Sequence, residues 1–143
     1  MIHVIVFTIL SLDQLTKFLI TKNLAHQESF PLLRGIFHLT LTYNTGAAFG
    51  ILKNQVPLFI FTSLFAVFLI YVNIRKHREG KLYGLALSLI LGGALGNLID
   101  RVRLGYVIDF LDFRIWPVFN LADSAITIGA VLLGYSILRT KKA

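Results

Sequence analysis

The stretch "VIDFLDFRIWPVFNLADSAITIGAVLLGY" (residues 107–135) passes from a short alternating segment into a long apolar one. It carries three aspartates on the way in: Asp109, Asp112 and Asp123. Residues 118–138 are long and apolar enough to cross a bilayer, which takes roughly 20 such residues in a helix. An ionised side chain at the edge of a hydrocarbon layer is costly, and its presence there points to function. One stretch therefore joins a membrane helix to carboxylates at its margin.

Three further runs have the same character: residues 2–20, 56–74 and 82–99. The composition agrees, with 56% hydrophobic residues, 15% charged residues and a mean hydropathy of +0.75; a soluble domain has about a quarter of its residues charged. The reading is one membrane domain over residues 1–143: an α-helical integral membrane protein with four transmembrane helices and a small extracytoplasmic β-strand and loop subdomain. The first run carries Asp13 and Lys17 and has neither a basic start nor a small-residue cleavage site, so it is expected to be a retained helix. Pro57 sits at the start of the second, where a missing N–H costs little. Gly92 with Gly96, Ala125 with Gly129 and Ala130 with Gly134 have small-xxx-small spacing, which predicts close packing of the third and fourth helices.

The formal charge of +7 would suggest nucleic acid in a soluble protein. Here the basic residues lie in short loops and at the C-terminus, so they read as topology signals first and contacts to anionic membrane lipids second. "RKHREGK" (residues 75–81) holds four Lys or Arg, and Arg139, Lys141 and Lys142 follow the last helix. The positive-inside rule puts both in the cytoplasm, with the N-terminus, and leaves residues 21–55 and 100–117 outside. In the first outer segment Phe37, Leu39, Leu41 and Tyr43 alternate with His38, Thr40 and Thr42, the period of a half-buried strand, and "NTG" (residues 44–46) follows as a turn.

With that orientation the unusual polar residues gather at one face of the membrane. Asp13 and Lys17 share one side of the first helix, in its outer half. Asn97, Asp100 and Arg101 end the third, Asn120 and Asp123 begin the fourth, and Asn44 and Asp109 come from the outer segments. Structural roles compete for several of them. Asp13 and Lys17 form an i,i+4 pair, Asp100 and Arg101 suit a helix-end ion pair, and Asn120 with Asp123 suits a helix N-terminus. Asp109 has no comparable structural role; Asp112 reads as facing solvent.

Residue types remove most chemistries. There is no cysteine, hence no disulfide or thiol nucleophile. The four histidines are scattered without metal-ligand spacing, and neither G-x-S-x-G nor a glycine-rich phosphate loop occurs. No metal or cofactor is expected. Carboxylates remain: two aspartates at a low-dielectric boundary share a proton, and such a pair activates water as base while donating to a carbonyl as acid. Spacing alone leaves open which two of Asp13, Asp100, Asp109, Asp112 and Asp123 meet.

Five blocks in order, "DQLTK" (13–17), "NTGAAFG" (44–50), "GGALGNLIDR" (92–101), "VIDF" (107–110) and "FNLADSAI" (119–126), run through nearly the whole chain. In them the sequence resembles the signal peptidase II family, the lipoprotein signal peptidases of the bacterial inner membrane, which are aspartyl proteases. The resemblance implies that Asp109 and Asp123 are the catalytic dyad and that Asp13, Lys17, Asn44, Asn97, Asp100, Arg101 and Asn120 surround it. It implies a prolipoprotein substrate cut just before a diacylglyceryl-modified cysteine, and sensitivity to the peptide antibiotic globomycin. The small residues Gly46, Ala47 and Ala48 would let a peptide backbone approach. Two other classes explain intramembrane carboxylates. A proton-coupled transporter needs ionisable groups through the full depth of the bilayer, and the inner halves of the last three helices have none. A non-catalytic lipid-binding or assembly subunit would use Asp123 only as a helix-terminal charge.

Overall fold

Glycine and alanine at close spacing in the third apolar run let neighbouring helices approach it, and that run becomes the centre of the molecule. The computed structural model describes residues 2–46, 52, 54–76 and 80–140. Their order is α1 (Ile2–Asn23), β1 (Ser29–Leu33), β2 (Phe37–Asn44), α2 (Val56–Lys76), α3 (Lys81–Leu104), β3 (Val107–Asp112) and α4 (Leu121–Thr140). All four helices are long and apolar enough to cross a membrane. α3 packs on α1, α2, α4 and β3, and buries Gly92, Gly93, Gly96, Asn97 and Asp100 among others. α2 buries none of its described residues and packs on α3.

The molecule is inside out in the manner of a membrane protein. Phe7, Leu15 and Phe18 of α1 are exposed, while the only residues α1 buries are Asp13 and Lys17. With lipid outside, apolar side chains gain nothing by turning inward, and polar ones must find each other.

The glycines divide between two interfaces, which corrects the expectation that all serve α3 against α4. Gly92 and Gly96 face α1: a Cβ at Gly92 would sit 2.9 Å from Ile9 Cβ, and one at Gly96 would sit 2.5 Å from Asp13 Oδ2. Gly93 and Gly129 make the α3–α4 contact, against Ala122 O and Ile90 respectively, and Gly134 faces open space.

Helix boundaries also differ from the sequence reading: α1 runs three residues further, to Asn23, and the end of α3 and the start of α4 move for identifiable reasons. α3 continues five residues past Ile99 to Leu104 and stops at Gly105, whose φ of 78° is the left-handed conformation that glycine adopts freely at a helix end; its N–H donates to Arg101 O. α4 begins at Leu121 rather than 118, because Phe119 exchanges backbone hydrogen bonds with Leu111 of β3 (2.7 and 3.1 Å).

The three strands lie at the end of the bundle where α1 and α3 finish and α4 begins. They form one antiparallel sheet in the order β1-β2-β3. β1 went unrecognised in the sequence: its five residues are all exposed and Pro31 lies within it. Proline is tolerated at such an edge. Between β2 and β3 the register slips by one, with Leu39 opposite Leu111 but Thr42 opposite Asp109. Ala47 and Ala48 of the "NTGAAFG" block, His77 to Glu79 of the basic loop, and Lys141 and Lys142 lie outside the described residues.

Candidate active site

α1, β2, α3, β3 and the start of α4 each deliver between one and three polar side chains to the sheet end of the bundle. The N-terminus of α4 is built first. Asn120 Oδ1 accepts from Asp123 N–H at 2.9 Å, and Asp123 Oδ2 accepts from Asn120 N–H at 3.3 Å. This is a reciprocal capping box, satisfying backbone donors that a helix start leaves free. A third such donor, Ala122 N–H, reaches Asp13 Oδ1 of α1 at 3.0 Å. The capping role expected for Asn120 and Asp123 therefore exists, and for Asp123 it coexists with a place on a cavity wall.

Behind the cap lies a buried charge cluster. Lys17 Nζ is 2.8 Å from both Asp13 Oδ2 and Asp100 Oδ2 and donates to Asn97 Oδ1 at 3.0 Å. Asn97 passes the contact on, its Nδ2 donating to Asp123 Oδ1 at 2.8 Å. Asp100 also accepts from the Ile108 N–H at 3.2 Å, which ties α3 to the start of β3. The expected Asp100–Arg101 ion pair does not form. Successive helical residues point about 100° apart: Asp100 turns in to Lys17, while the Arg101 guanidinium lies over the Phe59 ring of α2 at 5.0 Å.

Asp109 sits on β3, whose residues are nearly all buried. Asn120 Nδ2 donates to its Oδ1 at 2.7 Å and Asn44 Nδ2 to its Oδ2 at 2.9 Å. Asn44 Oδ1 in turn accepts from Gly46 N–H at 2.9 Å, which shapes the turn after β2. Burial is the largest influence on the Asp109 carboxyl and the negative charge of Asp123 the next; both raise its pKa. The two asparagine hydrogen bonds and Lys17 pull the other way, and the net result is a pKa pushed up to about 7.

Asp109 and Asp123 open onto the same cavity of about 350 Å³, which Asn44, Gly46, Asn97 and Arg101 also line. Its far wall is Trp116 and Phe119, and beyond them lies an apolar hollow of about 520 Å³ that shares Asp123 and Thr127 with it. Asp13, Lys17, Asp100 and Asn120 stand behind Asn97, Asp109 and Asp123 as their support. Asp112 is elsewhere and is not solvated: it is 5% exposed, accepting from the Thr40 hydroxyl at 2.7 Å and from Arg114 N–H and Nη1 at 2.8 and 3.0 Å. It folds the 113–118 loop back onto the sheet.

Gln14 escaped the sequence reading. Its Nε2 donates to Asp100 Oδ1 at 3.0 Å and lies 3.2 Å from Asp13 Oδ2 and 3.3 Å from Gly96 O. A second polar residue beside Asp13 inside an apolar run was the available signal. Among the described residues, no three His, Cys, Asp or Glu side chains come together as a metal site.

The family profile described as signal peptidase (SPase) II matches residues 5–139. The chain belongs to the signal peptidase II family. It is 48% identical over 133 residues to the lipoprotein signal peptidase of Halothermothrix orenii, covering 93% of this chain and 92% of that one. It is 52% identical over 137 residues to the lipoprotein signal peptidase of Caldanaerobacter subterraneus subsp. tengcongensis, covering 94% of each. A solved bacterial membrane enzyme, obtained by the in meso method, superposes with a TM-score of 0.93 at 32% identity, over 98% of this chain and 88% of that one. Membership of signal peptidase II makes this chain a peptidase, and the four helices make it a multi-pass bacterial membrane protein.

Proposed function

We propose that this signal peptidase II is an aspartic endopeptidase that removes the signal peptide from diacylglyceryl-modified prolipoproteins, cutting before the lipidated cysteine. The observation that carries the reading is that Asp109 and Asp123, from different elements, line one cavity and are joined through Asn120. A carboxyl with a pKa of about 7 beside a second carboxylate keeps its proton through the mildly acidic range and still carries it about half the time at neutral pH.

The chemistry follows from one proton on the pair, which titrates as a unit. The unprotonated carboxylate takes a proton from water as the water oxygen attacks the scissile carbonyl carbon. The protonated carboxyl donates to the carbonyl oxygen. In the collapse of the resulting gem-diol one hydroxyl gives its proton to the unprotonated carboxylate as the C=O re-forms, the C–N bond breaks, the amine leaves with the proton of the other carboxyl, and the pair again holds one proton. Lys17 acts at a distance, holding Asp123 in place through Asn97. Asn44, Gly46 and Arg101 on the cavity wall hold the substrate main chain, and the apolar hollow beyond Trp116 takes hydrocarbon from the substrate.

The positions of the basic residues support a chain in the bacterial inner membrane with both termini in the cytoplasm and the cavity near the outer face. A diacylglyceryl anchor in the outer leaflet presents its peptide bond at that level. A globomycin-type peptide inhibitor fits the same reading, occupying the cavity in place of substrate. The test is mass spectrometry of lipidated and unlipidated precursors treated with purified protein in detergent. The expected product begins at the modified cysteine and forms only from lipidated precursor; cleavage elsewhere, or equal rates on both precursors, overturns the proposal.

A further inference from the structure

Across the Lys17–Asn97 bridge from Asp123 lies a cavity of about 260 Å³ that the proteolytic reading does not use. It opens where α1 and α3 end and where β2 and β3 cross them. Its inner wall is the Lys17–Asp100 pair, so the Asp100 carboxylate there already has its counter-ion at 2.8 Å.

The rim is basic and aromatic. Arg103, exposed in the last turn of α3, lines the cavity, and among the described residues no carboxylate pairs with it. Lys22 extends over the ring of Phe18, 5.8 Å from its centroid, and Phe18 is another lining residue. Tyr43 and Tyr106 complete the rim with ring centroids 4.5 Å apart. Among the described residues neither cation has a carboxylate partner, and the two together call for an anion. Phe18 and Leu104, both exposed, lie beside them on helices that cross the membrane, so the anion has hydrocarbon attached. Basic and aromatic side chains at the ends of membrane helices are the usual setting for lipid headgroups.

We propose that this cavity binds the phosphodiester headgroup of an anionic membrane phospholipid, with the cations of Arg103 and Lys22 at the phosphate and the acyl chains running along Phe18 and Leu104. The proposal stands apart from the proteolytic reading, because its measurement is lipid retention.

Native mass spectrometry of the full-length protein from micelles holding equal phosphatidylglycerol and phosphatidylcholine reads it directly. Wild type is expected to retain phosphatidylglycerol preferentially. Arg103→Gln and Lys22→Gln are each expected to lower that preference about fivefold, the weight of one basic residue near anionic lipid. Arg34→Gln, in the turn between β1 and β2 and away from the cavity, is expected to leave it unchanged. Equal retention of the two lipids by wild type, or an equal loss in Arg34→Gln, overturns the proposal. Inorganic phosphate titrated into the detergent-purified protein separates the sources. Binding that Arg103→Gln abolishes, without any preference for phosphatidylglycerol, assigns the cavity to free phosphate and overturns the lipid.

Discussion

Asn120 and Asp123 cap one another across the first turn of α4, and the same Asn120 side chain donates its 2.7 Å hydrogen bond to Asp109. One side chain thus closes a helix end and fixes the spacing of two carboxylates. Asn120→Ala is expected to destabilise the fold by about 1 kcal/mol through the lost cap. It is also expected to slow cleavage by more than that loss of folded protein explains. Unfolding curves in detergent and kcat on a lipidated precursor, measured on the same preparation, check both.

The pKa of Asp109 gives a stability change of known sign. Its folded pKa, about 7, lies above the ordinary 3.8, so between those values the folded chain holds a proton that the unfolded chain has lost. Stability therefore falls as pH rises through this window. Asp109→Asn removes the effect and is expected to be more stable than wild type above pH 7, by no more than about 4 kcal/mol, with the difference vanishing towards pH 4. Unfolding midpoints across that range are the measurement. By the same titration kcat/KM should decline above about pH 7 as the pair loses its proton.

Lys17 lies between two buried carboxylates at 2% exposure, and among the described residues no other cation pairs with either. Lys17→Met leaves Asp13 and Asp100 uncompensated and is expected to cost about 3–5 kcal/mol. Pairing it with Asp100→Asn should recover part of that loss. Yield of folded protein and melting temperature for the single and double variants test the cluster.

The glycines make a graded series. Gly96→Ala would drive a methyl to 2.5 Å from Asp13 Oδ2, and Gly129→Ala one to 2.7 Å from Ile90 Cγ1, whereas Gly134→Ala meets nothing within 4 Å. The first two are expected to lose about 1–3 kcal/mol from overpacking, and the third to be neutral or slightly stabilised. Gly96→Ala should also slow cleavage, because Asp13 caps Ala122. Melting temperatures and precursor cleavage rank the set.

The apolar runs were legible because a bilayer imposes length and hydropathy on every helix that crosses it. The site was legible in part because charge inside such a run stands out: Asp13, Lys17 and Asp123 were visible on that ground alone, and Asp100 by its place just past the end of the third run. What sequence could not carry was direction. Gly92 and Gly96 showed that α3 packs closely, yet which neighbour each faces depends on helix rotation about its axis. Asp112 looked exposed because its partners Thr40 and Arg114 come from another strand and a loop. Asp100 looked paired with Arg101 because they are adjacent in the chain, while adjacency on a helix separates side chains. β1 hid because an exposed edge strand needs no apolar alternation.

The most direct measurement is cleavage of a lipidated precursor by Asp109→Asn and Asp123→Asn, each first shown to melt cooperatively and to bind precursor as wild type does. Each is expected to lose at least about a hundredfold in rate, the scale of a missing acid or base. Either folded variant cleaving at near the wild-type rate would contradict the assignment of the dyad.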